Sequence, residues 1–295
     1  MNASCHEDGG TVAAPPGLSR TALIGSPNAG KTTVFNHLTG MRARTGNYPG
    51  VTVARRVGTG RVRSDDETKT FIVEDVPGCY SLHPVSPDEQ VVADLLRGEL
   101  PDIPAPDALA VVVDVTVLER SLSLAAQVLA LALGKPTMIV LTMGDELAAR
   151  GGQLDTEQFA AALGVPVVSV IGSRGKGFEP LRALLAEPQT WQRVAIPPPT
   201  NDAEYNSWIA SILHAGRYRA PEPDRRSARI DRVLLHPVWG SLFFIAVMFG
   251  FFQIIFTLAA PLQDAIEKSF SWLGTLVDDN VTNSAVAGLL GHGII

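Results

Sequence analysis

The residues with the clearest chemical potential form a glycine-rich run near the N-terminus. Gly25 to Thr32 reads GSPNAGKT, which matches GxxxxGK followed by Ser or Thr, and it lies between an apolar run and a helical segment. In such a loop, backbone N–H groups approach phosphate oxygens, the lysine reaches the terminal phosphates and the hydroxyl can bind magnesium. The sequence therefore predicts a nucleoside phosphate site. Its residues are Gly25, Ser26, Pro27, Asn28, Ala29, Gly30, Lys31, Thr32 and Thr33.

Two further segments carry groups suited to the same ligand. Asp75-Val76-Pro77-Gly78 follows the apolar run TFIVE, where an aspartate can hold magnesium through water and a glycine N–H can meet a γ-phosphate. Between the two motifs lies GNYPGVTV, in which Gly50, Val51 and Thr52 are candidates for nucleotide contact. The Thr52 hydroxyl would complete the magnesium shell of a triphosphate, so this loop would be a switch. An ordinary loop leading into an edge strand stays the alternative.

The pattern around these loops predicts the frame that positions them. Residues 19 to 187 alternate β-branched apolar runs with amphipathic stretches, which is typical of a parallel sheet covered by helices. We expect strands at Thr21–Ile24, Thr70–Glu74, Leu109–Asp114, Thr137–Leu141 and Val167–Ile171, and a helix at Leu118–Leu133. These elements form one α/β domain.

The C-terminal part has a different character. The proline-rich run IPPPT closes the α/β domain, and Asn201 to Tyr218 has the periodicity of a helix. Val238 to Ala260 is an apolar run longer than the ~20 residues that cross a bilayer. Arginines crowd the preceding segment, and Lys268 is the only base that follows the run, so the preceding part is expected in the cytoplasm.

These changes in composition predict five regions. They are a flexible lead-in at 1–18, the α/β domain at 19–190, a linker with a small helical subdomain at 191–232, a transmembrane helix at 233–263, and a truncated extracytoplasmic or interfacial segment at 264–295.

Composition limits the class of protein. The 295 residues are 46% hydrophobic and 18% charged, which is too apolar for a disordered chain. A net charge of −6 argues against a general nucleic-acid binder. The two cysteines, Cys5 and Cys79, form neither a disulfide framework nor a zinc-type pair. We expect a folded protein that is mostly in a reducing compartment.

In order and spacing, several segments together resemble the N-terminal part of the ferrous iron transport protein B (FeoB) family. They are GSPNAGKTT, GNYPGVTV, DVPGCYSL, LERSL and the LLHP entry into the apolar run. The resemblance extends from about Ser19 to Ile266. It implies a Ras-like P-loop GTPase domain with a mostly parallel sheet and helices on both faces. A small helical subdomain that slows nucleotide dissociation and a first transmembrane helix would follow.

The resemblance also implies roles for individual residues. Lys31 and its loop would hold phosphates, while Thr32, Thr52 and, through water, Asp75 would serve magnesium. Asn28 matches an asparagine that helps to hold potassium in potassium-activated members.

One position implies slow turnover. Cys79 stands where many Ras-like GTPases have a water-positioning glutamine. GTP hydrolysis would then depend on backbone groups such as that of Gly78, on cations, and on Lys31 stabilising the phosphates.

The base-contact loops depart from the family pattern. Thr142-Met143-Gly144-Asp145 stands where guanine-specific members have NxxD, so the aspartate is kept and the asparagine is lost. Gly172, Ser173 and Arg174 form the second base loop, in which glycine replaces a bracing serine. Because Thr lacks an amide, we expect weaker bonds to the base and to the phosphate loop. We predict a relaxed guanine preference with some ATP use.

The leading hypothesis is the cytoplasmic GTP-binding and hydrolysing domain of a bacterial inner-membrane, multi-pass Fe(II) transporter. The alternative is a membrane-tethered regulatory GTPase without transport, and a kinase-like phosphotransferase is a third reading that lacks an arginine-rich lid. A single span cannot build an ion path, so we expect a piece of a longer protein. The expected cofactors and partners are Mg²⁺, K⁺, GTP or GDP, ATP, Fe(II), membrane lipid and a second copy of the chain, but no nucleic acid.

Overall fold

A computed structural model describes residues 18–40, 43–48, 51, 53–64, 67–131, 134–194, 196–199, 201–223 and 225–280. Residues 1–17 of the predicted lead-in, Gly50 and Thr52 of the predicted switch, and residues 281–295 lie outside the described residues. The chain divides into two compact units between Glu222 and Pro223.

The first unit alternates strands and helices, as the sequence predicts. Its strands are β1 (Arg20–Gly25), β2 (Ala43–Asn47), β3 (Ala54–Ser64), β4 (Glu67–Asp75), β5 (Ala108–Asp114), β6 (Thr137–Thr142) and β7 (Val167–Ser169). Its helices are α1 (Lys31–Thr39), α2 (Pro87–Arg97), α3 (Leu118–Leu131), α4 (Gly144–Ala149), α5 (Thr156–Leu163), α6 (Phe178–Ala186) and α7 (Asp202–Ala215).

The strands form a single mixed sheet in the order β2-β3-β4-β1-β5-β6-β7. Strands β4, β1, β5, β6 and β7 are parallel, whereas β2 and β3 run antiparallel at one edge. β1 is central, and its carboxyl end lies between those of β4 and β5. Loops that leave this end of a parallel sheet meet in one crevice, which is where such folds bind ligands.

Helices cover both faces of the sheet because successive strand residues point to opposite sides. In β1, Ala22 and Ile24 pack into the core that includes residues of α2, α3, α5 and α7, while Leu23 packs into the core formed with α1 and α6. Four consecutive apolar residues of β5, from Ala110 to Val113, are at most 1% exposed. Such continuous apolar runs are typical of strands that are buried on both faces.

Several predicted boundaries shift. The last strand stops at Ser169 instead of Ile171, and Ile171 makes an isolated bridge to Lys176. Helix α3 is described to Leu131, and the next two predicted helical residues lie outside the described residues. The β2–β3 hairpin was not predicted as a pair of strands. Exposed arginines and interspersed glycines hide its alternation, since about half of β3 is exposed beside the edge strand β2.

The predicted helical subdomain at 191–232 spans the division between the units. Helix α7 packs against α3 and α5 within the first unit, and the Tyr205 hydroxyl donates to the Ser123 carbonyl at 2.6 Å. The Asn201 side chain caps α7 by accepting from the Glu204 N–H at 2.8 Å. Residues from Pro223 onward belong to the second unit.

In the described part of the second unit there are two helices, α8 (Arg225–Leu234) and α9 (Trp239–Asn280). Within α9, the range Trp239–Leu273 contains an 18-residue window with a mean hydropathy of 2.4, and it is long and apolar enough to cross a membrane, by length and composition alone. The helix continues past Gln263, where the predicted span ends, and includes Pro261. Where a membrane crossing would end stays a prediction.

Candidate functional site

The loop between β1 and α1 has the backbone of a phosphate cradle. Asn28 and Gly30 have positive φ angles of 65° and 84°, which turn the chain from the strand into the helix. At Gly25 a Cβ atom would lie 2.6 Å from the Val112 carbonyl oxygen, so only glycine fits beside β5. Helix α1 begins at Lys31 and points its N-terminus at the crevice. This end of a helix attracts anions.

Lys31 and Thr32 face an aspartate at the end of the neighbouring strand. The Lys31 Nζ donates to Asp75 Oδ1 at 2.9 Å, and the Thr32 Oγ1 donates to Asp75 Oδ2 at 3.2 Å. The side chains of Lys31 and Asp75 are only 10% and 6% exposed. A lysine suited to phosphate binding and a hydroxyl therefore both contact the same carboxylate, as the motif spacing predicts.

The segment after Asp75 lies directly against the phosphate loop. A Cβ atom at Gly78 would lie 3.0 Å from the Pro27 nitrogen, so glycine permits this approach. The Cys79 N–H donates to the Gly25 carbonyl at 3.2 Å. We call Gly25–Thr33 together with Asp75–Gly78 the phosphate end.

Cys79 does not resemble a water-positioning side chain. It is fully buried in the core that includes Val76 and Leu82. Burial, followed by the nearby negative charge of Glu89, raises the pKa of the Cys79 thiol to about 12. The thiol is therefore protonated and inert at neutral pH.

The sequence did not predict the polar contacts that hold the segment after Gly78. Glu89 accepts from the backbone N–H groups of Tyr80 and Val85, both at 3.1 Å. Gln127 on α3 accepts from the Leu82 N–H at 2.7 Å. The sequence SPDE is a capping-box signal, and Ser86 indeed caps α2. That signal would have identified Glu89 as a residue that reaches back to this segment.

A cavity of about 610 Å³ extends from the phosphate loop along α4. Every residue of the two base loops except Gly144 lines it. Its lining consists of Gly30, Thr33, Val34, Thr142, Met143, Asp145, Glu146, Ala149, Gly172, Ser173 and Arg174. We call Thr142–Asp145, Gly172–Arg174 and this cavity the base end.

Thr142 keeps the bond that we expected to be weakened. Its Oγ1 lies 2.7 Å from the Ala29 carbonyl and 3.2 Å from the Val113 carbonyl. A hydroxyl has one proton, so it donates to one of these oxygens at a time, and the shorter contact is the one to the phosphate loop. Thr142 is 5% exposed. The brace between β6 and the phosphate loop is thus present without an asparagine.

Asp145 is the half-buried acid of the cavity. It stands in the first turn of α4, where the helix follows Met143, which has a positive φ of 59°. The Ser173 hydroxyl donates to Asp145 Oδ2 at 3.2 Å, so the second base loop orients this carboxylate. Arg174 is exposed at the end of a short 3-10 turn, Gly172–Arg174.

Gly172 is held by contacts that replace the missing serine hydroxyl. The His37 Nε2 lies 2.8 Å from the Gly172 carbonyl, and the His37 ring stacks on Phe178 at 4.5 Å. A Cβ atom at Gly172 would lie 2.6 Å from the Thr33 Cγ2. Glycine therefore lets the loop approach α1 closely. His37 and this contact with Thr33 were not predicted, because no local motif signals a contact between residues so distant in sequence.

Other predicted contacts stay predictions. Asn28 and Val51 are exposed in their loops. Exposure alone does not define a role for either residue. Gly50 and Thr52 lie outside the described residues.

Comparisons with known proteins agree with this geometry. A family model described as ferrous iron transport protein B matches residues 19–185. The Fe(2+) transporter FeoB of Synechocystis sp. is 30% identical over 309 aligned residues, which cover 100% of this chain and 48% of that protein. The Helicobacter pylori FeoB is 29% identical over 288 residues, covering 93% of this chain and 43% of that protein. The chain spans less than half the length of these relatives.

Solved structures of FeoB domains have a fold similar to that of this chain. A mutant of S. thermophilus NFeoB bound to mGDP is 35% identical with a TM-score of 0.52, covering 63% of this chain and 67% of that chain. The cytosolic domain of L. pneumophila FeoB is 34% identical with a TM-score of 0.53, covering 63% and 69%. The GMPPNP form of the T. maritima FeoB cytosolic domain is 29% identical with a TM-score of 0.52, covering 76% and 84%.

Proposed function

The chain belongs to the FeoB family, and from that premise we propose that its first unit binds and hydrolyses GTP in the service of Fe(II) transport across a bacterial cell membrane. The observation that carries the proposal is the meeting of Lys31, Thr32 and Asp75 at one end of a crevice whose other end is a cavity with Asp145. The first group suits a polyphosphate, and the second suits a base that donates two hydrogen bonds.

The phosphate end fits magnesium in its donor chemistry. Magnesium prefers hard oxygen ligands and keeps several waters when one or two carboxylates and phosphates bind it. The Thr32 hydroxyl and the Asp75 carboxylate are oxygen donors 3.2 Å apart. We assign Thr32 and Thr52 as direct ligands and Asp75 as a ligand through water. When bound, magnesium neutralises charge on the transferred phosphate.

The chain's own groups have distinct tasks in hydrolysis. Lys31 exchanges its contact with Asp75 for phosphate oxygens, and the loop N–H groups orient the phosphates. The Gly78 N–H would meet the γ-phosphate, with Asn28 holding a potassium ion beside it. Since Cys79 is buried and protonated, no side chain at that position activates water, and we expect slow turnover.

The base end supports guanine recognition with reduced stringency. Asp145 can accept two bonds from guanine, and Ser173 orients it. Thr142 donates to Ala29 or Val113, so its hydroxyl has no second proton for the base, and it has no amide to read the base edge. We propose that GTP is preferred by a modest factor and that ATP is also hydrolysed.

The membrane assignments follow from the relatives and from α9. The Synechocystis and Helicobacter relatives are both named Fe(2+) transporters, which favours transport over a purely regulatory GTPase. We propose that α9 anchors the chain in the cell membrane, that the first unit is cytoplasmic, and that Fe(II) crosses through parts that this chain does not include. Lipid contact along α9 and a homo-oligomer belong to the same proposal.

Nucleotide binding and hydrolysis by the full chain in lipid nanodiscs test the proposal. We expect hydrolysis of GTP with magnesium, stimulation by potassium over sodium, and a lower rate with ATP. An Asn28→Ala variant should lose the potassium effect and keep magnesium-dependent binding. Failure of the wild-type chain to bind guanine nucleotides would overturn the assignment.

A second comparison tests the proposed relaxed base selection. Thr142→Asn restores an amide and should raise the ratio of GTP to ATP affinity by ~3–10-fold, the value of one hydrogen bond. Thr137→Val is a matched control, because it removes a buried hydroxyl at the far end of the same strand. Tighter or equal GTP binding by the wild-type chain would contradict a weakened pocket.

A further inference from the structure

A buried charge cluster lies beside the phosphate end, and the proposed hydrolysis does not use it. Glu74, the residue before Asp75 on β4, is 0% exposed. Its carboxylate meets Arg20 Nη1 at 3.1 Å and Arg55 Nε at 2.8 Å, and both arginines are nearly fully buried. The Tyr48 hydroxyl donates to the same carboxylate, at Glu74 Oε1, over 2.9 Å. Tyr48 itself is 1% exposed.

The cluster is satisfied on every side of the carboxylate. Glu74 Oε1 accepts from Tyr48 and Arg55, and Oε2 accepts from Arg55 Nη2 at 3.4 Å and contacts Arg20. A buried carboxylate is costly unless its oxygens are paired and hydrogen-bonded in this way. Burial, and then the negative charge of Glu74, raise the pKa of the Tyr48 phenol, so it keeps its proton and stays a donor.

Tyr48 also organises the backbone of the predicted switch. Its N–H donates to the Val53 carbonyl at 2.9 Å, and its carbonyl accepts from the Val51 N–H at 3.3 Å. The backbone of Tyr48 therefore holds both Val51 and Val53 by hydrogen bonds. Through its side chain, the same residue is bonded to the position that directly precedes Asp75.

We infer that Tyr48 is a positioning residue of the nucleotide site, whose hydrogen bond to Glu74 fixes the described part of the predicted switch, Val51 and Val53, relative to Asp75 for a triphosphate with magnesium. The inference rests on the proposed function. A diphosphate lacks the γ-phosphate that this segment is predicted to meet. Loss of the bond should therefore weaken triphosphate binding selectively, whereas a general loss of stability would weaken both nucleotides.

Tyr48→Phe tests the inference, because it removes only the hydroxyl. We would measure the affinities of the full chain in nanodiscs for GDP and for the non-hydrolysable analogue GMPPNP, each as a function of magnesium. We expect the affinity for GMPPNP to fall ~10-fold, the scale of a hydrogen bond to a charged group. GDP affinity should stay within ~2-fold, which is the usual scatter for a change that removes no ligand contact.

Tyr205→Phe is the matched control. It also removes a phenol hydrogen bond within the first unit, to the Ser123 carbonyl, on the side of α3 that faces α7. This variant should keep the wild-type ratio of GMPPNP to GDP affinity. Equal losses for both nucleotides in Tyr48→Phe, or no loss for either, would overturn the inference while the proposed function stands.

Two further readouts separate positioning from folding. Thermal unfolding of both tyrosine variants reports the stability that each loses, since Tyr48 loses a buried bond to a carboxylate and Tyr205 a part-buried bond to a carbonyl. Hydrogen exchange at the Tyr48 and Val51 amides should accelerate in Tyr48→Phe with GMPPNP bound, and unchanged exchange there would overturn the inference. If the wild-type chain binds neither nucleotide, the proposed function fails first and the inference fails with it.

Discussion

The phosphate end and the base end hold their parts in place by different means. At the phosphate end, backbone N–H groups, glycines that permit close approach, and the Lys31–Asp75 pair act within contiguous motifs. At the base end, single side chains from distant segments support each other, as Thr142 does with Ala29 and His37 does with Gly172. Backbone-built sites tolerate few substitutions, whereas sites built from side chains can exchange one partner for another.

The largest expected effect is a loss of nucleotide affinity at the phosphate end. Lys31→Ala removes the cation that faces Asp75 and leaves a nearly buried carboxylate without its partner. We expect nucleotide affinity to fall by ~100-fold or more, since charged hydrogen bonds are lost and an acid faces the phosphates. Titration with a fluorescent GDP measures this. Lys135→Met is the control, because the Lys135 Nζ donates to the Pro106 carbonyl at the opposite end of the sheet. A Lys31 variant with wild-type affinity would refute the phosphate site.

The next effect separates the two ends. Asp145→Asn should lower GTP affinity by ~10–100-fold, the scale of paired bonds to a charged acceptor, and leave ATP affinity nearly unchanged. Competition between the two nucleotides measures the shift in preference. Glu157→Gln removes an exposed acid on α5 and should change neither. An equal loss for ATP would mean that Asp145 supports the loop and does not read the base.

A smaller effect sharpens the role of exchangeable partners at the base end. In Gly172→Ser the new Cβ meets the Thr33 methyl at 2.6 Å, so the loop must shift and affinity should fall ~3–10-fold. Adding Thr33→Ser removes that methyl and should restore affinity in the double variant. Thr33→Ser alone should bind as the wild type does. If the double variant binds nucleotide no more tightly than Gly172→Ser, the Thr33 methyl is not the reason that position 172 requires glycine.

The last effect leaves nucleotide affinity unchanged and concerns burial beneath the phosphate end. Because the pKa of Cys79 rises to about 12 in the folded chain, the unfolded chain releases the thiol proton first as pH rises. Its contribution to stability is complete below about pH 8.5 and is lost progressively up to the folded pKa, by at most about 1.4 kcal/mol per pH unit. Denaturant unfolding across this range should show a steeper fall for the wild type than for Cys79→Ala. Parallel curves would contradict the thiol's burial.

Sequence reasoning located most of the frame because its signals are local. The runs around Thr21 and Leu109 are apolar on both faces, and each phosphate motif follows a strand directly. The β2–β3 hairpin escaped prediction because its exposed polar face masks the period of two. The brace from Thr142 and the packing of Gly172 on Thr33 were missed for another reason. They depend on which loops the sheet order brings together, and no single segment encodes that.

The length of α9 has a consequence for the proposed membrane arrangement. A helix of 42 residues is about 63 Å long, roughly twice the hydrocarbon thickness of a bilayer. It would therefore extend well into water if upright. Pro261 cannot donate to the Thr257 carbonyl, so the helix lacks one backbone hydrogen bond just before its first acidic residue, Asp264. Residues before Pro261 would then be the membrane anchor, and the part of the helix from Asp264 onward would leave the hydrocarbon at the lipid boundary.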